Sequence, residues 1–516
     1  MTHDLLITGG TVVDGTGAPP RTADVAISDG RITAVGDDVS GSARQTIDAD
    51  GALVTPGFVD IHSHYDGQAT WAERMVPSSW HGVTTVVSGN CGVGFAPVRP
   101  SDHERLIELM EGVEDIPGVV LAEGLPWSWQ SFPEFLDALD GRTYDVDLAV
   151  HVPHAALRLH VMGDRAAARE QATAEDIEAM ARLAAEAVEA GAIGFSTSRT
   201  LNHRTSRGEH TPTLAAGADE LIGIAEAIGA TGRGVLQVVS DFADADAEFD
   251  LFQAMAARSG RPLSFSLVQL PGRTEHLLDR LVEANGAGIA MRAQVAPRPV
   301  GLLLAFDGTV HPFRGNPAYE ELEALPRAER VAALRQPEVR ARILAAATAG
   351  RPMDLSAVFE LGTPPCYEPD PADSLAARAA ATGADPLELA YDLLLEDDGQ
   401  GLLYLPLLNW QDRNLDEIGR MLAHPHTVVG LADGGAHVAT ICDASFPTTL
   451  LTHWGRDRER DRLEVAHLVH RQTQATAAAV GLLDRGVLAP GYRADVNVID
   501  FEGLAGGTLS QQGYTV

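Results

Sequence analysis

Between residues 55 and 485 the sequence keeps one rhythm. Eight short apolar runs occur in it: FVDI, GVTTVVSG, DLAVHV, GAIGFSTS, GVLQVVS, PLSFSL, GIAMRAQ and TVVGLAD. Most are separated by Ala-, Leu-, Glu- and Arg-rich stretches with helical spacing. Short apolar runs alternating with helices argue for an α/β fold, a (β/α)8 TIM-like barrel. TAEDIEAMARLAAEAVEAGA (173–192) is the clearest helix, with Thr173 as N-cap, Asp176 at the capping-box position and Gly191 as C-cap. Residues 4–54 instead read as short strands and turns, and the Asp29-Gly30 pair between alternating runs signals a hairpin. GVLAPGYRADVNVID (486–500) has the same character. The expected organisation is therefore a small β-sandwich domain from both chain ends (1–54 and 486–516) around a barrel at 55–485. Residues 298–425 are too long for one crossover and carry Pro-rich breaks, so they are expected to form an inserted lid or subdomain after strand 7.

Composition narrows the chemistry. The 516 residues hold 38 basic and 72 acidic side chains, a net charge of −34, which repels phosphate backbones and anionic lipid. Neither nucleic acid nor a membrane surface is an expected partner, and no apolar run approaches the ~18 residues of a membrane span. There is no lysine: every basic residue is arginine. That excludes Schiff-base chemistry, a Walker lysine and a metal pair bridged by a carbamylated lysine. Cys91, Cys366 and Cys442 are too few and too far apart for a disulfide framework or a CxxC motif. With no signal peptide read at the N-terminus, the expected compartment is the cytoplasm.

The sharpest local signal is Gly57-Phe-Val-Asp-Ile-His62-Ser-His64. Residues i and i+2 of a strand point the same way, so His62 and His64 at the end of the first barrel strand would both face the barrel mouth. Two imidazoles with one orientation suit zinc or another divalent metal. Cys91 ends the second run and Asp433 the eighth. Taken alone, Cys91 reads as a buried structural cysteine and Asp433 as a turn residue before glycine.

VTPGFVDIHSHYD, preceded by GGTVVDGTG and ADVAISDGRITAVG, resembles the amidohydrolase superfamily. SGNCGVGFAPVRP (88–100), GAIGFSTSRT (191–200), LADGGAH (431–437) and ATAAAVGLLDRGVLAPGYRADVNVID narrow the likeness to the N-acyl-D-amino-acid deacylase branch, in the expected order over nearly the whole chain. The resemblance implies that Cys91 replaces the bridging lysine as a metal ligand, and that Asp433 touches the metal and acts as general base, then acid. It also implies histidines at the ends of the fifth and sixth strands, which hold the branch's tightly bound zinc. Here those runs offer Gln237, Ser240, Ser266 and Gln269. The expected site is thus a single divalent ion, zinc or similar, held by His62, His64, Cys91 and Asp433.

The loop after the fourth run, Ser196–Arg207, is unusually basic. It reads either as a surface loop meeting the chain's own acidic face or as a pocket in which Arg199, His203 and Arg204 bind a substrate carboxylate. His154, in a segment resembling the family's VGHGxLR, is expected either to line the mouth or to be structural. The function implied is metal-dependent hydrolysis of a small-molecule amide, an N-acyl (D-)amino acid or a related carboxylate-bearing amide. The alternatives are another metal-dependent reaction on the scaffold (cyclic-amide hydrolysis or a lyase step) and a non-catalytic binding protein. The short stretch after NVID leaves the small β domain either incomplete or closed by a second subunit, so a homo-oligomer is compatible with the sequence.

Overall fold

The computed structural model describes residues 2–37, 39–349, 353–438, 440–441 and 443–506. Cys442 and residues 507–516, the latter assigned above to the small β domain, lie outside the described residues. The chain divides into two compact units: Met1–Pro297 with Gly419–Ala436 and Ala444–Leu504, and Arg298–Ile418 with His437–Asp443 and the C-terminal residues.

The first unit begins with β1 (Thr2–Val12), β2 (Arg21–Ser28), β3 (Arg31–Gly36), β4 (Ser42–Asp48) and β5 (Leu53–Pro56). β1 pairs antiparallel with β2, and parallel first with β4 and then, at residues 11–12, with β5. β2 and β3 form the expected hairpin: Asp29 and Gly30 have φ of +52° and +67°, the doubly left-handed turn that an Asp-Gly pair favours.

Seven barrel strands follow: β6 (Phe58–Asp60), β7 (Val83–Ser88), β8 (Asp147–Pro153), β9 (Gly194–Arg199), β10 (Val235–Ser240), β11 (Leu263–Ser266) and β12 (Met291–Val295). After an insertion carrying β13 (Val300–Leu304), β14 (Phe359–Glu360) and β15 (Leu403–Leu408), β16 (Thr427–Val429) is the eighth. Adjacent barrel strands are parallel and run in sequence order from β6 to β16. Each of the eight apolar runs supplies one strand, so the barrel expectation is met. β6 and β16 join just beyond their strand residues: Asp433 N donates to His62 O at 3.0 Å, His64 N donates to Gly434 O at 2.7 Å, and Ser63 bridges Gly434. The last strand, β17 (Val496–Ile499), pairs antiparallel with β5, so both chain ends build the small β sheet.

The helix Ala174–Ala190 has the caps its sequence calls for. Thr173 Oγ1 accepts from Asp176 N, the Asp176 carboxylate accepts from Thr173 N, and Gly191 ends it with φ +129°. No helix among the described residues is long and apolar enough to cross a membrane.

The second unit has its own sheet, in the order β13-β15-β14, and its own core around Phe306, Phe313, Tyr319, Leu355, Tyr391 and Leu403. It ends as a compact stretch at Ile418 and takes in His437–Asp443, whereas the sequence suggested an insertion running to 425. Within it, buried Arg298 pairs with Asp443 at 3.1 Å and stacks over Tyr367.

Candidate metal centre

The site is assembled just beyond the carboxyl ends of β6, β7 and β16, the end at which barrels carry their chemistry. His62 and His64 leave β6 two residues apart and each is only 1% exposed. Asp60 Oδ1 accepts from His62 N at 3.0 Å, and Ser63 between them bonds Val87 O and Ser88 Oγ at 3.0 Å. The segment is thus fixed to β7 by the residue whose side chain faces away from the site.

The Asn90-Cys91-Gly92 turn follows β7. Asn90 Nδ2 donates to Val87 O at 2.8 Å and to Ser63 O at 3.2 Å, tying the exits of β6 and β7 together. The glycines on either side are demanded by space and backbone alike. A Cβ on Gly89 would lie 2.5 Å from His151 O, one on Gly92 2.9 Å from Thr197 Cα, and both residues have φ above +70° or at it. Cys91 itself has φ +56°, a conformation that costs a side-chain-bearing residue roughly 1–3 kcal/mol. Such strain persists where the surroundings over-determine it, and here Cys91 N donates to Gln237 Oε1 and Gly92 N to Ser196 Oγ. The turn delivers Cys91 Sγ to 3.3 Å from His62 Nε2.

Asp433 arrives from β16, also with positive φ (+47°), its amide held by His62 O. Its Oδ1 is 3.4 Å from His62 Nε2 and 3.6 Å from His64 Nε2. His62, His64 and Cys91 each offer a ligand atom within 4.8 Å of the other two. Arms of about 2.0–2.3 Å at tetrahedral angles place two ligand atoms roughly 3.3–3.6 Å apart. The separations of 3.3–3.6 Å recorded here fall in that range.

The electrostatics point the same way. Burial pushes the Asp60 carboxyl up to about 7 and Asp66 up to about 6. Burial, and after it the Glu114 carboxylate, push the Cys91 thiol up to about 12. Burial opposes charge on His64, yet Glu114 and then Asp433 outweigh it and hold that imidazole well above the ordinary histidine value. A bound cation would favour the charged forms of these crowded, buried acids, and the N, S and O donor set fits a divalent one.

Two contributors have no sequence signal of their own. Gln294 on β12 accepts from His62 Nδ1 through Oε1 at 2.7 Å while its Nε2 donates to Ser264 Oγ at 2.9 Å. With the amide oriented this way its oxygen takes the Nδ1 proton, which favours the His62 tautomer with Nε2 directed at the site. Glu114, from the helix His103–Glu114, brings Oε2 to 3.3 Å from His64 Nε2.

The family profile described as amidohydrolase matches residues 45–506. The chain belongs to the amidohydrolase family. Among curated relatives it is 28% identical to the D-aminoacylase of Alcaligenes xylosoxydans xylosoxydans, over 96% of this chain and 88% of that one. It is 30% identical to the N-acyl-D-glutamate deacylase of the same organism, over 96% and 87%. Among solved structures, the N-acyl-D-glutamate deacylase from Bordetella bronchiseptica, complexed with zinc and a phosphonate mimic of the tetrahedral intermediate, superposes with a TM-score of 0.65. The two are 25% identical, with 100% of this chain and 93% of that chain covered. A D-aminoacylase described as having a binuclear metal centre, activated by one metal and attenuated by the second, also gives 0.65, at 26% identity over 99% and 96%. The D-aminoacylase branch suggested by the sequence motifs is therefore the right one.

Within this amidohydrolase the fifth-strand positions are engaged otherwise. Gln237 is turned to the Cys91 amide, and Ser240 Oγ donates to Glu248 at 3.0 Å.

The fourth-loop residues expected at the substrate carboxylate have partners within the chain. Arg199 is paired twice with Glu248, Nε and Nη2 each at 2.7 Å, and Nη1 donates to Ala216 O. Arg204 is spent on Gly208 O within its own loop, and His203 Nδ1 bonds Ser198 Oγ at 2.9 Å. Arg207 closes on Glu108. The basic loop meets acidic groups of its own chain, the alternative that the net charge favoured. His154 is fully buried, with Nδ1 on Thr197 Oγ1 and Nε2 on Glu220 Oε1, both at 2.8 Å; Arg158 bonds the same Glu220. Burial lowers the His154 pKa despite that carboxylate. Its role is internal bracing.

Proposed function

We propose that this amidohydrolase hydrolyses the amide bond of N-acyl-D-amino acids. The observation that carries the reading is the cluster of His62, His64 and Cys91 beyond the strand ends, with the Asp433 carboxylate against both imidazoles. The names of the relatives, D-aminoacylase and N-acyl-D-glutamate deacylase, support the substrate class.

His62, His64, Cys91 and Asp433 would hold a single divalent ion, which would supply Lewis-acid activation of the scissile carbonyl and of water. The residues do the rest. Asp433 is the one member of the four with substantial exposure, 19% of its side chain, so it is the group that water and substrate reach. Its carboxylate takes the proton of the attacking water and returns it to the nitrogen of the leaving amine. Its bond to His62 O keeps it in register with the imidazoles throughout. Gln294 holds His62, and Asn90 holds the two strand exits, so the groups need no reorganisation at the moment of reaction.

The test is turnover of N-acetyl-D-amino acids against their L-isomers by protein reconstituted with zinc, with and without chelator. Release of the free D-amino acid that chelation abolishes and zinc restores supports the reading. Metal-replete protein that cleaves no N-acyl amino acid of either hand would sink it.

A further inference from the structure

Glu114 stands where a carboxylate is doubly disfavoured. It is the last residue of the helix His103–Glu114, so it meets the negative end of the helix dipole. It is also 2% exposed and has lost its hydration. A glutamate kept in such a place answers to a positive charge nearby. Among the described residues the groups that act on it include His64, Cys91, Asp66 and Asp433, and of these four His64 is the one that can carry a positive charge. Its Oε2 sits 3.3 Å from His64 Nε2, matching the 3.3 Å from Cys91 Sγ to His62 Nε2 and the 3.4 Å from Asp433 Oδ1 to His62 Nε2. Glu114 thus flanks His64 at the distance at which Cys91 flanks His62, while Cys91 also bonds His64. On the far strands, Gln237 is committed to the Cys91 amide and Ser264 to Gln294.

We infer that Glu114 is a ligand of the metal in this chain, a buried carboxylate that makes up the donor count which the fifth and sixth strands do not supply. The assignment rests on the metal-hydrolase reading above. Its rival is a structural one: His64 stays protonated and Glu114 is merely its counter-ion, in which case Nε2 carries a proton and binds nothing.

Two measurements separate them. In crystals of the parent protein soaked with zinc, a Glu114 oxygen about 2.0–2.2 Å from the ion supports the assignment, and one beyond 3 Å overturns it. In solution, Glu114→Gln keeps the shape and removes the anionic donor. Competition with a chromophoric chelator should show zinc held about 100-fold more weakly or worse, on the scale of losses known even for groups that only support a ligand. The cobalt-substituted variant should show a changed visible spectrum, while its metal-free form melts no lower than the metal-free parent. Parent-like affinity with a parent-like cobalt spectrum overturns the assignment, and if the variant does not fold the soaked parent crystal decides alone. A parent that takes up no zinc overturns both this assignment and the hydrolase reading. A parent that binds zinc through Glu114 yet cleaves no N-acyl amino acid supports the assignment and overturns only the substrate.

Discussion

Replacing Gln294 by leucine removes the one group that accepts from His62 Nδ1, and the consequence can be worked out from the bonds present. In the parent, Nδ1–H donates to Gln294 Oε1 at 2.7 Å and leaves Nε2 unprotonated, facing Cys91 and Asp433. In Gln294→Leu the same tautomer would strand a buried N–H, at a cost of about 1–3 kcal/mol. The imidazole escapes by moving its proton to Nε2, where Asp433 Oδ1 at 3.4 Å accepts it. An incoming ion must reverse that move, so the cost reappears as lost affinity, about 5- to 150-fold at 1.4 kcal/mol per decade. Gln294→Glu keeps an acceptor at the same place and should recover most of the loss. The assay is zinc competition at neutral pH on the purified variants, with metal-free thermal unfolding as control. At saturating zinc the turnover of Gln294→Leu should stay within about tenfold of the parent, because Asp433 still handles the proton. Zinc affinity within twofold of the parent in Gln294→Leu would refute the tautomer argument outright.

Three further outcomes follow from the same structure. Asp433→Asn should lower kcat by about 10²–10⁴-fold while the protein still binds zinc, because the amide keeps an oxygen but accepts no proton; near-parental kcat would move the general base elsewhere. Arg199→Ala should cost about 1–3 kcal/mol of stability by unpairing Glu248, seen as a lower urea midpoint, whereas Arg204→Ala should leave both stability and kcat/KM within about twofold of the parent. His311 in the second unit accepts from Phe313 N through Nδ1, and burial holds its pKa down to about 4, against an unfolded value of 6.5. The unfolded state therefore binds the extra proton first, and stability falls as pH drops from about 6.5 toward 4, by roughly 3 kcal/mol at the low end. Urea melts of the parent and His311→Gln at pH 7 and pH 4.5 check this, the variant losing less over the interval.

The fold was largely legible because barrel strands are covered on both faces and so read as continuous apolar runs, each ending where a polar residue emerges at the mouth. His62 and His64 could be read for the same reason, since they follow such a run directly, whereas Cys91 took its meaning from the family motif. Asp433 needed the family motif, since Asp before glycine is an ordinary turn. Gln294 and Glu114 left no mark, because their partners are remote in sequence. Gln294 ends a run like any polar strand residue, and Glu114 ends an amphipathic helix in which acidic side chains are usually solvated. The arginines misled for the converse reason. Arg199 finds Glu248 and Arg207 finds Glu108, pairings between distant segments that composition makes probable in an acidic chain but that no local pattern reveals.

The joint between β6 and β16 has one more implication. The sheet behaves as a hoop whose two free ends are buckled, among the described residues, by the amides and carbonyls of His62, His64, Asp433 and Gly434. Completing the hoop and completing the reactive centre are therefore a single act, performed by residues at opposite ends of the barrel's chain path. Slow exchange at the His64 and Asp433 amides would report the buckle fastened, and their joint loss of protection would mark the moment the hoop springs and chemistry stops.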